Sequence, residues 1–553
     1  MTPLHTSDPI MLPSAPTAHL DTFARDHLPP RDQWPVMDYS GLPELSYPPR
    51  LNCAAELLDR MAQGEGGHRT ALVFPGGRWS YRELLETANR VAHVLRDDLG
   101  LVPGNRVLLR GPNNPWMVAC WFAVLKAGGI AVATMPLLRR RELSAILDKA
   151  QIGIALTDHR LTEELDAARS ASPVLRTVAA FGGGGEGSLE AMAAGKPAEF
   201  DNVDTAADDV ALIAFTSGTT GQAKGTVHFH RDVLACCDCF PPHVLRASPE
   251  DLFCGSPPLA FTYGLGGILL FPMRIGAATL LLENASPPNL VAGIAGHRAT
   301  VVFTAPTAYR AMVDMVAAHD LSSLRKCVSA GEPLPAATFE AWRAATGLGI
   351  IDGIGSTEML HIFISSSGDD IRPGSTGRAV PGYRARIVDD AGNEVPPGTI
   401  GRLAVQGPTG CRYLDNEERQ RAYVQNGWNL TGDAYRMDED GYFWYQARGD
   451  DMIISSGYNI AGPEVENALL DHPAVLECGV VGVPDMERGQ VVKAFVVLRD
   501  GTEETAATVK ELQDWVKGQI APYKYPRQVE FVSELPRTPT GKLQRFRLRE
   551  KQP

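Results

Sequence analysis

Val210-Ala-Leu-Ile-Ala-Phe-Thr-Ser-Gly-Thr-Thr-Gly-Gln-Ala-Lys-Gly225 joins an apolar run to four hydroxyls, three glycines and a lysine. A buried strand ending this way is suited to meet phosphate. Glycines let the backbone turn sharply and bring N–H groups close to an anion, while hydroxyls and an ammonium complete its solvation. The spacing is not that of a Walker loop, because Gly218 precedes Lys224 by six positions and Gly225, not a hydroxyl residue, follows. An ordinary polar turn is the plainer alternative, and motifs further along the chain decide between the two.

At 553 residues the chain exceeds the size at which one core stops growing, so two or more domains are expected. Its 44% apolar and 21% charged residues are ordinary for a globular protein. A net charge of −13, with basic residues scattered, argues against nucleic acid as a partner. No apolar run has the length of a membrane span, and the N-terminus, with Asp8, Asp21 and Asp26 among prolines, lacks a signal pattern. Nine dispersed cysteines fit reduced thiols and a cytoplasmic setting. Cys236-Cys237-Asp238-Cys239 has no second pair at zinc spacing and reads as buried small side chains on a helix after the glycine-rich loop.

Residues 1–50, rich in proline, are expected to drape over the body. Between 51 and 200, helical patterns alternate with short apolar runs. Leu84, Leu85, Ala88, Val91, Ala92 and Leu95 form one helical stripe, while 107–110 and 130–133 read as buried strands. Strand candidates at 279–282, 300–303 and 350–351 continue the pattern, which predicts a layered α/β architecture with a largely parallel sheet. Gly182 to Gly185 is a surface connection without the context of a phosphate loop. A β-rich stretch follows over 377–445. Residues 452–553 then hold a helix opened by Pro463, a strand at 491–498, and a helix with Val509, Leu512, Val516 and Ile520 inward. That suffices for a small α+β domain.

The glycine-rich stretch resembles the signature loop of the adenylate-forming superfamily, which includes acyl- and aryl-CoA synthetases, firefly luciferases and peptide-synthetase adenylation domains. The superfamily's other motifs occur in order, and the resemblance covers essentially the whole chain. It implies a large N-terminal adenylation domain over 1–449, with a β-rich subdomain, and a mobile C-terminal lid over 450–553. It also implies ATP, Mg2+ and coenzyme A as cosubstrates. Thr216, Ser217, Gly218, Thr219, Thr220, Gly221 and Lys224 match the loop that holds the β- and γ-phosphates. In Gly353-Ile-Gly-Ser-Thr-Glu-Met359, Thr357 matches the residue that touches the α-phosphate and Glu358 the Mg2+ ligand; a hard cation favours carboxylate oxygen. Ile354 stands where the superfamily usually has an aromatic residue. Gly331, Glu332 and Pro333 resemble the adenine-binding turn, and Asp433 with Arg448 the pair that holds the ribose. Lys542, in Pro536-Arg-Thr-Pro-Thr-Gly-Lys542, resembles the lid lysine used during adenylation. Asp450 matches the hinge, and Gly457 a glycine lining the pantetheine tunnel, where a side chain would obstruct the thiol arm. Plainer readings accompany these: a helix-capping Ser-Thr-Glu, a simple loop, a surface ion pair and a solvent-exposed tail lysine.

Ser256-Pro-Pro-Leu-Ala-Phe-Thr-Tyr-Gly-Leu-Gly-Gly267 aligns with the superfamily's aromatic gate. It puts Phe261 beside the substrate carboxylate and Ala260, Tyr263 and Gly264 near the acyl pocket, with Ser329 and Gly355 further lining residues. Glu358 and His361 stand three apart, so on a helix they would face one cavity, and His361 could donate to a ring substituent or serve as a structural histidine. Gly-Ile-Gly-Ser-Thr-Glu-Met-Leu-His and Ser-Gly-Tyr-Asn-Ile resemble benzoate-type aryl-CoA ligases, and Ala18–Arg25 and His228–Val233 resemble the 2-aminobenzoate-CoA ligase group. The expected activity is ATP-dependent ligation of an aromatic acid, benzoate or 2-aminobenzoate, to CoA through an aryl-AMP. Loading of a carrier protein and non-catalytic nucleotide sensing are the alternatives. Partners are the acid, ATP and CoA, with neither nucleic acid nor membrane; a homodimer is one assembly open to it.

Overall fold

Two largely parallel sheets form the body. The computed structural model describes residues 15–217, 223–448, 451–455, 458–485, 488–520, 522–537 and 543–550. One sheet has six strands in the order Thr177–Phe181, Ile154–Asp158, Arg106–Arg110, Ile130–Thr134, Val210–Ser217 and Ala223–Phe229. The other has nine, with Ile350–Gly355, Lys326–Ala330, Val301–Thr304 and Leu252–Gly255 parallel at its centre. Arg106–Arg110 is buried at every position, as an apolar run covered on both faces should be. Helix Pro115–Lys126 buries every residue but Trp116, matching its apolar circumference. Its one charge, Lys126, is neutralised by Asp59, whose carboxylate oxygens lie 2.6 Å from Nζ.

The expected stripe from 81 to 95 is helix Tyr81–His93, started by a Ser80–Glu83 capping box, and its last turn widens into a π-helical segment, Val94–Asp98. Described residues before 50 lie across the body, as expected: Leu20 N donates to Pro103 O at 3.0 Å, and Met37 bridges Gly407. The β-rich stretch is a five-stranded antiparallel sheet that includes Arg384–Val388, Ile400–Gln406, Trp428–Met437 and Phe443–Arg448. Beyond it, helices Gly462–Leu470 and Ala506–Gln519 pack on a separate sheet around Val465, Leu469, Val492, Leu512 and Val516. Cys236, Cys237 and Cys239 are buried on helix His230–Phe240. Among the described residues no helix is long and apolar enough to cross a membrane.

Candidate active site

Strand Val210–Ser217 pairs antiparallel with Ala223–Phe229, placing Thr216 opposite Lys224. The helix expected to follow the loop and carry Cys236, Cys237 and Cys239 is present as His230–Phe240. A strand precedes it, because Thr226, Val227, His228 and Phe229 are β-branched or flat-ringed and buried in the sheet. Residues 412–414 run beside this second strand: Val227 N donates to Arg412 O at 2.8 Å and Leu414 N to Gly225 O at 2.9 Å.

The second motif leaves strand Ile350–Gly355 and returns antiparallel as Ile362–Ser365. Glu358 and His361 therefore do not share a helical face. The chain must reverse between neighbouring strands, and it does so through a turn in which Leu360 takes a φ of 70°. The two side chains meet different neighbours. Glu358 is half-buried and its Oε1 accepts from the Tyr413 hydroxyl at 2.6 Å. The carbonyl of Thr357 lies 2.7 Å from His228 Nε2. Ile354 packs against the main core.

His361 instead enters an aromatic cluster with ring centroids 4.4 Å from Phe271, 5.7 Å from Tyr263, 6.0 Å from Phe240 and 6.3 Å from Phe303. Tyr263 and Gly264 occupy a short helical turn, Thr262–Gly264, that widens into the π-helical segment Leu265–Leu270. A Cβ on Gly264 would stand 2.2 Å from Pro258 O, and one on Gly266 2.2 Å from His361 Cδ2, so both close approaches require glycine. Gly355 likewise abuts backbone, with a Cβ site 2.7 Å from His361 O. The Tyr263 hydroxyl lies 3.2 Å from both Thr304 O and Val328 O. Ala260 and Phe261 are half-buried ahead of this turn, with Phe261 N donating to Pro258 O at 3.0 Å.

Burial holds the His361 imidazole neutral by lowering its pKa to about 3. Its Nε2 faces Tyr263 O at 3.3 Å. A neutral ring meeting a carbonyl carries its proton on that nitrogen, which leaves Nδ1 an acceptor. Nδ1 is sealed from solvent and has no partner among the described residues. The donor role expected for His361 is thereby reversed: its open atom accepts.

Ser329 stands opposite Asp352 in the register of adjacent strands. Neither Ser329 Oγ nor Asp352 Oδ1 closes a well-formed hydrogen bond among the described residues. Burial raises the Asp352 carboxyl to about 7, and the nearby Ser329 hydroxyl and Gly353 amide only partly oppose this.

Gly331 follows strand Lys326–Ala330 with a φ of 90°, opening a turn in which Gly331 and Pro333 are exposed and Glu332 is half-buried. Asp433 and Arg448 are direct cross-strand partners. Gly218, Thr219, Thr220, Gly221, Asp450, Gly457 and Lys542 lie outside the described residues.

Sequence reasoning did not single out His228, Asp352 or Tyr413. Asp352 carried a signal, being one acid inside the apolar run Ile350-Ile-Asp-Gly353. Tyr413 carried none, since only the pairing of 412–414 beside the hairpin brings it to Glu358.

Residues 58–412 match the AMP-binding enzyme family, and 464–542 match the AMP-binding enzyme C-terminal domain. The chain is 36% identical over 521 residues to a benzoate–CoA ligase from Thauera aromatica, covering 93% of this chain and 99% of that relative. Among solved structures it is similar to the anthranilate CoA ligase AuaEII in complex with anthranoyl-AMP, with a TM-score of 0.87 and 36% identity over 92% of this chain and 98% of that one. It is also similar to a benzoate CoA ligase from Burkholderia xenovorans LB400, with a TM-score of 0.82 and 33% identity over 90% of this chain and 100% of that one.

Proposed function

The chain belongs to the AMP-binding enzyme family, and we propose that it joins a benzoate-sized aromatic acid, with 2-aminobenzoate preferred, to coenzyme A. It is an AMP-forming acid–thiol ligase using ATP and CoA. The observation that carries the substrate reading is the neutral His361, packed between Gly266 and an aromatic wall with Nδ1 open as an acceptor. An amino or hydroxyl group ortho to the carboxylate is a donor suited to that atom. Similarity to proteins named for benzoate and anthranilate supports the same choice.

Carboxylate and triphosphate repel each other, so the site works mainly by neutralising charge and aligning the attacking oxygen. In this reading Thr216, Ser217, Gly218, Thr219, Thr220, Gly221 and Lys224 hold the β- and γ-phosphates. Thr357 meets the α-phosphate, Gly331 to Pro333 the adenine, and Asp433 and Arg448 the ribose. Ala260, Phe261, Tyr263, Gly264, Ser329, Gly355 and His361 enclose the acid. The Glu358 carboxylate, one oxygen fixed by Tyr413, fits a hard cation, and it would hold the Mg2+ that arrives with ATP and neutralises phosphate charge. One substrate carboxylate oxygen bonds to the α-phosphorus as the bond to pyrophosphate breaks, with Lys542 balancing the developing charge. The lid then turns about Asp450. The CoA thiol, admitted past Gly457, loses its proton, bonds to the acyl carbon and displaces AMP.

The test is kcat/KM for benzoate, 2-aminobenzoate and hexanoate, read as acyl-CoA release, in wild type and His361→Ala. Wild type should favour the aromatic acids. The variant should lose its preference for 2-aminobenzoate over benzoate by about 1–3 kcal/mol, the cost of leaving a buried polar group unpaired. Hexanoate as the best wild-type substrate would refute the aryl pocket; an unchanged ratio in the variant would remove His361 from substituent recognition.

A further inference from the structure

The motifs read as meeting ATP are linked by a run of polar contacts with one gap, at His228 Nδ1, which has no hydrogen-bond partner among the described residues. His228 Nε2 donates to Thr357 O at 2.7 Å. The other nitrogen of that ring lies 4.0 Å from Asp232 Oδ2, on the helix that follows. Asp232 Oδ2 accepts from Arg412 Nη1 at 2.8 Å. The next residue, Tyr413, donates its hydroxyl to Glu358 Oε1 at 2.6 Å, and Glu358 is covalently joined to Thr357. Ser356 adds a 3.4 Å contact with the Tyr423 hydroxyl, so three successive motif residues are each held by a different segment.

The arrangement is expensive. His228, Asp232 and Arg412 are wholly buried. The Arg412 guanidinium sits 4.2 Å from the Phe229 ring and 4.9 Å from Trp34, and its Nε and Nη2 have no partner among the described residues. A buried ion pair of this kind is weak evidence for stability, since apolar side chains of similar volume often serve as well. What apolar replacements cannot do is fix the direction of a carbonyl and a carboxylate.

We propose that His228 and Tyr413 are positioning residues for acid activation, His228 orienting Thr357 and Tyr413 orienting the Glu358 carboxylate against the phosphate hairpin. The proposal rests on Thr357 and Glu358 being the ATP-facing pair. His228 ends its contact on the Thr357 carbonyl, so it fixes the planar peptide between Thr357 and Glu358 and with it the direction of the Glu358 N–H. Tyr413 occupies one carboxylate oxygen of Glu358 and so fixes how the other is presented. Because residues 412–414 also pair with Gly225 and Val227, movement of the hairpin and movement of Glu358 are tied together.

The test compares Tyr413→Phe, His228→Leu and His228→Gln with wild type. Four readouts are needed: adenylate formation at saturating aromatic acid, thioester formation from supplied aryl-AMP, melting temperature, and calorimetric affinity for α,β-methylene-ATP with Mg2+ or with EDTA in its place. Tyr413→Phe and His228→Leu should lower kcat for adenylate formation about 10–100-fold, as loss of a group that orients a metal ligand does. They should leave the KM for the acid and the thioester step unchanged. Tyr413→Phe should also lose the part of the nucleotide affinity that depends on Mg2+. His228→Gln keeps a donor and should recover most of the rate. Tyr413→Phe removes a single oxygen, so it tests the idea even where a His228 variant folds poorly. Wild-type rate and Mg2+ dependence in Tyr413→Phe would overturn the proposal, as would equal loss of both half-reactions with a parallel fall in melting temperature. Failure of wild type to form adenylate from any aromatic acid would overturn the underlying reading of Thr357 and Glu358 instead.

Discussion

Asp352 ends an apolar strand run with a carboxyl whose Oδ1 meets neither solvent nor a well-formed hydrogen bond among the described residues. Burial moves its pKa from 3.8 to about 7. The folded chain therefore holds this proton more tightly than the unfolded chain. Stability is greatest where both are protonated, falls as pH rises between those two values, and levels off above them. Asp352→Asn keeps the shape and removes the titration, so the melting temperature of the variant relative to wild type should climb across that window and then plateau. Thermal unfolding over a pH series checks this, and a flat difference would show that the carboxyl is well solvated. The residue types of the proposed site can be read from sequence because phosphate, a hard cation and an acid require particular groups. Protonation cannot: the tautomer of His361 and the charge of Asp352 depend on burial and on partners such as Tyr263 O, which lie far away in sequence.

At the scale of elements, the π-helical segment Leu265–Leu270 brings Gly266 against His361. A methyl group there would lie 2.2 Å from Cδ2 of a ring boxed in by Phe271, Tyr263, Phe240 and Phe303. Gly266→Ala should thus cost about 1–3 kcal/mol of stability by overpacking. It should also turn the ring away from Tyr263 O and erode the preference for 2-aminobenzoate. Gly296→Ala is the control: it lies in helix Pro287–His297 with open space at the Cβ site, and should gain up to about 1 kcal/mol from helix propensity. Denaturant unfolding of both variants reads the contrast, and similar behaviour would mean the segment has room to relax. Strands such as Ile130–Thr134 and helices such as Tyr81–His93 were legible in their periodicity. The misreadings came where local spacing is ambiguous: the Glu358–His361 interval suits a helix as well as a strand-to-strand turn, and only the antiparallel return of Ile362–Ser365 decides.

The order of motifs made the family legible, since the loop at 216–225, the Gly-Ser-Thr-Glu motif and the C-terminal lysine are distant in sequence yet are the parts of one proposed ATP site. How the parts alternate was carried by resemblance alone. Ile453, Val465, Leu469, Val480, Leu512 and Val516 share one core cluster, and Phe495, Leu535 and Leu548 another, so the C-terminal residues pack largely on themselves. Arg310, on helix Pro306–Val313, donates to Leu476 O and is one of the contacts this unit makes with the body. A unit packed on its own core can take a second pose without losing that core, which is what two successive half-reactions would need from the proposed lid. Lys542 should then serve only the pose used for acid activation. Lys542→Ala is expected to slow adenylate formation about 10²–10³-fold, the usual loss when one preorganised charge stabiliser is removed. Thioester formation from supplied aryl-AMP should proceed near the wild-type rate, because in the proposed two-pose cycle the lid turns a different surface to the site in that step. Both half-reactions can be followed separately, the first by pyrophosphate release and the second by AMP release from added aryl-AMP and CoA. An equal loss in both, at unchanged melting temperature, would remove Lys542 from acid activation and with it the division of labour between the two poses.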